Sequence, residues 1–515
     1  MESKGNAPIP CCAILCSVCV VHAKEFAAER TAAKETMLTR LRPSKTMNTQ
    51  RYWKLVLLSF SVAIHWCQAE LVSAAEKPNI IFIFADDWGY GDLSSHGSTF
   101  CETPHLDRMA KEGIDFANFT VNSPVCSPSR VAVMTGQFPA RQCIHQHFAG
   151  VSSNRKRGMP DWLDPDGPSL PRMLKDAGYR TGHFGKWHLG GGVGVPTEDR
   201  YGYDAYATFN GSKTHEIKKD GLASVAHAVS FIKENKDQAF FVNLWLHEAH
   251  LAHFPLEKYL RQFRDLDEQK KVYASVIAEA DEGVGRVLDL VKALELDEKT
   301  LIVFSTDNGP EATRDADQKI HKKGAPGLGG YYSVGETGGL KGRKRSLFAG
   351  GIRVPFIVRW PGVVPAGQID KTSVLTAVDL LPTFLHVAGV ELPDGFAPDG
   401  ENVVSAFKGQ PLERTKPIFW EWRGGVSKDY TWPSLGVRDG RWKLIVNKEL
   451  GKMELYDEQK DWPEKADVSN KNPEVVEELS RQLDAWKKSL PLVPSEHCCA
   501  KPKDLKTRKS KTNQK

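Results

Sequence analysis

Apolar residues fall along this chain in two rhythms. The run from Asn79 through Ile80, Ile81, Phe82 and Ile83 to Phe84 is apolar over a strand's length, the pattern of a parallel strand covered on both faces. Short apolar runs recur near 179–184, 239–246 and 300–305, and helical spacing predicts helices at 104–112, 169–177, 220–234 and 270–293. Strand and helix in alternation predict an α/β fold, a doubly wound and largely parallel sheet. A further helix is expected over 375–388, then a Gly/Pro-rich linker over 389–400. Beyond it, strand-like runs at 417–422, 434–438, 441–447 and 453–456 precede a helical stretch at 473–488. Strands in succession closed by one helix predict a smaller antiparallel α+β unit. There are no internal repeats.

The 515 residues are 41% hydrophobic and 26% charged, which excludes a mostly disordered or fibrous chain. The net charge of +5 is unevenly spread: Lys501 to Lys515 carries +6 and residues 1–46 carry +3, leaving a body near −4. Such a body is a poor nucleic-acid-binding surface, and no nucleic-acid partner is expected. After Met47, the basic Arg51 and Lys54 precede the apolar run Leu55 to Cys67 and the small residues Ser73-Ala74-Ala75. That order is a secretory signal peptide, and its run is short for a bilayer span. The product is expected to be secreted or periplasmic (lysosomal in an animal source), with no integral membrane segment in the mature chain. Five of the ten cysteines lie in the first 67 residues. The mature chain keeps Cys101, Cys126, Cys143, Cys498 and Cys499, an odd number that leaves one thiol free or with a chemical task.

Ligands of open parallel sheets bind beyond the carboxyl ends of the strands. Directly after the first strand stand Asp86-Asp87, and after the strand at 300–305 stand Asp307-Asn308-Gly309. Two like charges 4 Å apart repel by about 4 kcal/mol at an effective dielectric near 20, so carboxylates gathered there call for a cation. Asp and Asn oxygens are hard donors, suited to Ca2+ or Mg2+. Alternatively, each pair is a turn or a helix cap. In Cys126-Ser127-Pro128-Ser129-Arg130, Ser127 is a natural N-cap and Pro128 a natural first helical residue. Cys126 then stands at the positive end of a helix, where an oxyanion binds or a nucleophile is activated. The other reading is a buried or disulfide-bonded cysteine.

Cys126-x-Pro-Ser-Arg130 followed by Thr135-Gly136 resembles the signature of the type I sulfatases, of the alkaline-phosphatase-like superfamily. Asn79–Asp92 resembles that family's first strand and metal pair, Gly185–Gly190 its second signature, Asp307–Gly309 its second metal pair, and Gly350–Pro355 a later strand approach. Overall similarity leans toward the carbohydrate sulfatases, the N-acetylgalactosamine-6-sulfatase group in particular. The resemblance implies that Cys126 is oxidised by a formylglycine-generating maturation enzyme. The hydrated aldehyde attacks sulfur as the alcohol leaves, and its second hydroxyl then loses a proton to expel sulfate. It further implies that Asp86, Asp87, Asp307, Asn308 and the converted Cys126 hold one Ca2+, with Mg2+ as the alternative. Arg130 and Lys186 would neutralise charge and His188 would accept a proton. His250 would be the general acid, with His247 second, although Ala249 stands where the family often has proline. Counting back from Gly350-Gly351 puts the sulfate-binding lysine at Lys344.

The expected substrate is a sulfated sugar or polysaccharide. The alternatives are a formylglycine-dependent phosphonate or phosphate ester hydrolase and a non-catalytic sulfated-polysaccharide-binding protein. Trp422, Arg423, Tyr430 and Trp432 either line a sugar subsite or pack. The domain plan is a leader over 1–76 with its signal peptide at about 47–75, a catalytic domain over 77–395, a smaller α+β domain over 396–490, and a disordered basic tail over 491–515.

Overall fold

The structure is a computed structural model and describes residues 77–191, 194–209, 222–321 and 326–501. The leader with its signal peptide, and the basic tail from 502 onward, lie outside the described residues. The strand Asn79–Ala85 explains its own composition. Ile80, Phe82 and Phe84 enter one buried cluster while Ile81, Ile83 and Ala85 enter another, so both faces of the strand are covered. On the first side lie the helices Cys126–Thr135, Leu170–Asp176 and Leu380–Val387. On the other lie Pro104–Lys111, Ala223–Glu234 and the long helix Glu268–Ala293.

The large sheet has eight strands, ordered Ala205–Phe209, Arg180–Lys186, Phe240–Trp245, Asn79–Ala85, Thr300–Thr306, Phe356–Arg359, Ile114–Phe116 and Gln368–Asp370. The first five are mutually parallel, as expected of a doubly wound sheet. Phe356–Arg359 runs antiparallel to both its neighbours. Ala85 pairs with Thr306, and Trp245 lies beside both Phe84 and Gly185. The segments that follow these strands therefore emerge at one edge.

The stretch read as one helix over 375–388 divides. Leu375–Thr376 pairs with Phe119–Thr120. A reciprocal cap between Thr376 and Asp379 then closes the helical start, and Leu380–Val387 follows as an α-helix. Four antiparallel strands, Ile418–Glu421, Leu435–Asp439, Trp442–Asn447 and Lys452–Asp457, form the second sheet. The helix Pro473–Lys488 seals it with Leu479, Leu483 and Trp486. Trp420, Trp422 and Trp432 are buried, and the Trp420 indole donates to the Val121 carbonyl at 2.8 Å. These tryptophans pack and do not form an open sugar platform. Within the stretch expected as a loose tail, Cys498 to Ala500 is tied down: Asp161 N–H donates to the Cys498 carbonyl at 2.8 Å, and Ala500 N–H to Asp161 Oδ2 at 2.9 Å. Among the described residues no helix is long and apolar enough to cross a membrane.

Candidate active site

Asp86 and Asp87 leave the end of their strand fully buried beside Asp307 and Asn308. Glycines set the local geometry. A Cβ on Gly309 would lie 1.9 Å from the Gly350 carbonyl oxygen, and one on Gly350 would lie 2.2 Å from the Gly342 carbonyl oxygen. The Asp-Asn-Gly turn, the Gly-Gly pair and the loop bearing Lys344 thus meet backbone to backbone. Asp87 itself takes a left-handed conformation, φ 67°, uncommon for a residue with a side chain.

The helix Cys126–Thr135 begins at Cys126, with Val125 as N-cap, rather than after a Ser127 cap. Ser127 Oγ instead accepts the Phe148 N–H at 3.0 Å. Cys126 remains at the helix N-terminus, where the unpaired N–H groups gather. Its Sγ lies 3.3 Å from His188 Nδ1, and His188 Nε2 donates to the Phe148 carbonyl at 3.1 Å. That second bond assigns the proton to Nε2 and leaves Nδ1 as the acceptor. Burial pushes His188 down to about 3, which keeps the ring neutral.

Arg130 is wholly buried, and its Nε and Nη2 donate to Asp307 Oδ2 at 3.1 and 2.6 Å. Its guanidinium lies over the Trp245 ring, 4.8 Å from the centroid. Lys186 Nζ donates to Asp86 Oδ2 at 2.5 Å, and Lys344 Nζ reaches Asp87 at the same distance. His247 Nδ1 also bonds Asp86 Oδ2. His250, partly exposed, holds its Nε2 3.8 Å from Asp87 Oδ2 and donates from Nδ1 to the Leu251 carbonyl at 2.6 Å. The expected residues therefore converge on one pocket. The two lysines, expected near sulfate, each rest on a carboxylate, Lys186 on Asp86 and Lys344 on Asp87.

Electrostatics divide the acids. Burial works to raise Asp86, but Lys186, His250 and His247 outweigh it and hold the carboxyl well below 3.8. Burial, followed by the Asp86 charge, pushes Asp307 well above 3.8. Burial also raises Asp87, against the pull of Lys344. The three acids resist common ionisation in a dry site, and a dication removes that conflict. Two further features fit a cation, the first of them a hard one. Asp86 Oδ1 and Asn308 Oδ1 are buried without a hydrogen bond. Ligand atoms of Asp86, Cys126 and Asp307 also lie within 4.8 Å of one another.

Sequence reasoning missed Glu311. It is buried, 3.8 Å from Lys344, and paired with both terminal nitrogens of Arg345 at 2.5 and 2.8 Å. Burial disfavours its charge, but Lys344 and Arg345 bring it down to about 2. The available signal was an acid just after the Asp-Asn-Gly turn with a basic run waiting downstream.

Comparisons with known proteins bear on the family. The sulfatase family pattern matches residues 78–390, and the pattern for the C-terminal part of N-sulphoglucosamine sulphohydrolase matches 336–489. An N-acetylgalactosamine-6-O-sulfatase of Bacteroides thetaiotaomicron is 26% identical, covering 80% of this chain and 94% of that one. The N-acetylgalactosamine-6-sulfatase of Canis lupus familiaris is 30% identical, covering 72% of each. The crystal structure of Ps i-CgsB in complex with k-i-k-neocarrahexaose superposes with a TM-score of 0.67 at 27% identity, covering 80% of this chain and 93% of that one.

Proposed function

The chain belongs to the sulfatase family, and we propose that it hydrolyses a sulfate ester of a sulfated carbohydrate using a formylglycine made from Cys126 and one hard divalent cation. The relatives' names make 6-O-sulfated N-acetylgalactosamine the first substrate to try. Asp86, Asp87, Asp307, Asn308 and residue 126 would hold the cation, Ca2+ by the hardness of its donors with Mg2+ as the alternative. The bound cation would supply polarisation of a sulfate oxygen, and the hydrated formylglycine would supply the attacking oxygen. We also propose that residues 1–76 are a leader for export, that 77–395 carry the chemistry with 396–490 as the smaller domain, and that a maturation enzyme acts on Cys126.

The chain's own residues divide the remaining work. His188 Nδ1, with the ring's other nitrogen committed to the Phe148 carbonyl, takes a proton from residue 126. Arg130 keeps Asp307 oriented. Lys186 and Lys344 bring two cations to the place where a sulfate would sit, and Glu311 steadies Lys344. Burial and then Lys186 push His250 well below 6.5 in the substrate-free site. A bound sulfate ester offsets the lysine charge and so favours the imidazolium that protonates the leaving alcohol.

The observation that carries this reading is the meeting of a helix-terminal Cys126, a tautomer-fixed His188 and the hard donors of Asp86, Asp307 and Asn308 in one buried pocket. The test is sulfate release from sulfated mono- and oligosaccharides of defined linkage, beside matched phosphate esters. Release by the parent and none by Cys126→Ser supports the proposal. Preference for the phosphate ester, or unchanged turnover by Cys126→Ser, rejects it.

A further inference from the structure

Outside the pocket, Asp164, His497 and Cys498 bring a carboxylate oxygen, an imidazole nitrogen and a thiol sulfur within 4.8 Å of one another. We propose that these three side chains form a second metal site, for a borderline cation of the zinc class, that fastens the segment 495–500 to the chain supporting His188. The donors differ in kind from the all-oxygen set of Asp86, Asp87, Asp307 and Asn308. Sulfur, nitrogen and oxygen together suit Zn2+, for which a solvent molecule completes four-coordination.

The imidazole is already aimed. His497 Nδ1 meets Ser495 Oγ at 2.7 Å, which turns Nε2 toward Asp164 Oδ1 at 2.9 Å. Metal-bound histidines characteristically have their other ring nitrogen held in this way. Cys498 is buried and its sulfur is a free thiol, while His497 is exposed and Asp164 partly so, which leaves a solvent side for the cation to enter. On binding, the Cys498 S–H bond breaks as the metal–sulfur bond forms, and the proton passes to solvent.

The site has a mechanical consequence. Asp161 N–H donates to the Cys498 carbonyl at 2.8 Å, and Asp161 Oδ2 accepts the Ala500 N–H at 2.9 Å. Asp161 Oδ1 accepts from Asn154 Nδ2 at 3.0 Å, and Asn154 Oδ1 accepts the Ala149 N–H at 2.9 Å. Ala149 adjoins Phe148, whose carbonyl receives His188 Nε2. A cation on His497 and Cys498 would hold the far end of this series of bonds.

Cobalt titration of the reduced, metal-stripped full chain tests the site without reference to activity. With Cys126 replaced so that its own sulfur cannot contribute, a thiolate-to-cobalt charge-transfer band is expected in Cys126→Ser and in Cys126→Ser with Cys499→Ser, and is expected to vanish in Cys126→Ser with Cys498→Ser. His497→Ala, at an exposed position where folding is not at stake, should weaken cobalt binding by about 10-fold or more. Zn2+ should displace the cobalt and raise the unfolding temperature by about 3 °C in the parent but not in Cys498→Ser. Absence of the band in Cys126→Ser, its survival when Cys498→Ser is added, or its loss when Cys499→Ser is added overturns the proposal. So does a peptide map placing Cys498 in a disulfide.

Discussion

Asn308 turns its amide nitrogen to Asp87 Oδ1 at 2.7 Å and leaves its own Oδ1 buried without a hydrogen bond. A buried acceptor with no donor costs about 1–3 kcal/mol, so the arrangement is that of a side chain waiting for a cation. Chelation should abolish sulfate release, and Ca2+ or Mg2+ should restore it. Asn308→Ala should raise the Ca2+ concentration for half-activity by about 10-fold or more. Activity against free Ca2+ measures this, and indifference to chelator would sink the cation.

Arg130 and Asp307 form a fully buried, doubly hydrogen-bonded ion pair. Removing one member strands the other's charge, at a cost of about 3–5 kcal/mol. Arg130→Ala should therefore unfold at markedly lower denaturant and lose activity. Arg130→Lys should recover part of the stability but little of the turnover, because one ammonium cannot replace the fork. Equal stability of parent and Arg130→Ala would contradict the pairing.

If His250 protonates the leaving alcohol, its removal should matter most where the leaving group is basic. His250→Ala should slow hydrolysis of a sugar sulfate by about 10²–10⁴-fold, and of 4-nitrophenyl sulfate by much less. Equal losses on both substrates would assign His250 to binding instead.

His183 lies fully buried among Trp187, Tyr203 and Trp245, and burial pushes it down to about 3. The unfolded chain takes up this proton below about 6.5 while the folded chain refuses it. His183 thus withdraws stability as pH falls through 6.5, by about 2 kcal/mol between pH 6.5 and 5. The stability advantage of the parent over His183→Gln should shrink over that interval, as read from urea midpoints at pH 7.5 and 5. An advantage that grows on acidification would reverse the sign and refute the assignment.

The pocket was legible where chemistry follows a strand end. Parallel strands deliver their carboxyl ends to one edge, so Asp86-Asp87 and Asp307-Asn308 were placed together by order alone. The partners of Lys186 and Lys344 were not legible. A lysine's motif says what charge arrives, while the carboxylate it rests on depends on packing across 100 and 257 positions of chain. Trp420, Trp422 and Trp432 show the same gap from the other side: an aromatic suits a sugar platform or a core equally, and burial decides. Phe356–Arg359 escaped because three apolar residues and an arginine carry too little pattern to reveal an antiparallel turn-back within a parallel sheet. Glu311 escaped because its place after the turn and the basic run downstream acquire meaning only when folding brings Lys344 and Arg345 to it.

Asp87 and His188 both stand at positive φ, 67° and 54°, where a side chain costs about 1–3 kcal/mol of backbone comfort. Glycine would relax either position while deleting the oxygen or nitrogen to which the proposed chemistry gives a task. Of the seven described non-glycine residues at positive φ, these two are the ones where a gain in hardiness would, on the proposed chemistry, be taken out of turnover. A variant library sorted for heat resistance alone should drift toward inert molecules unless those two codons are locked.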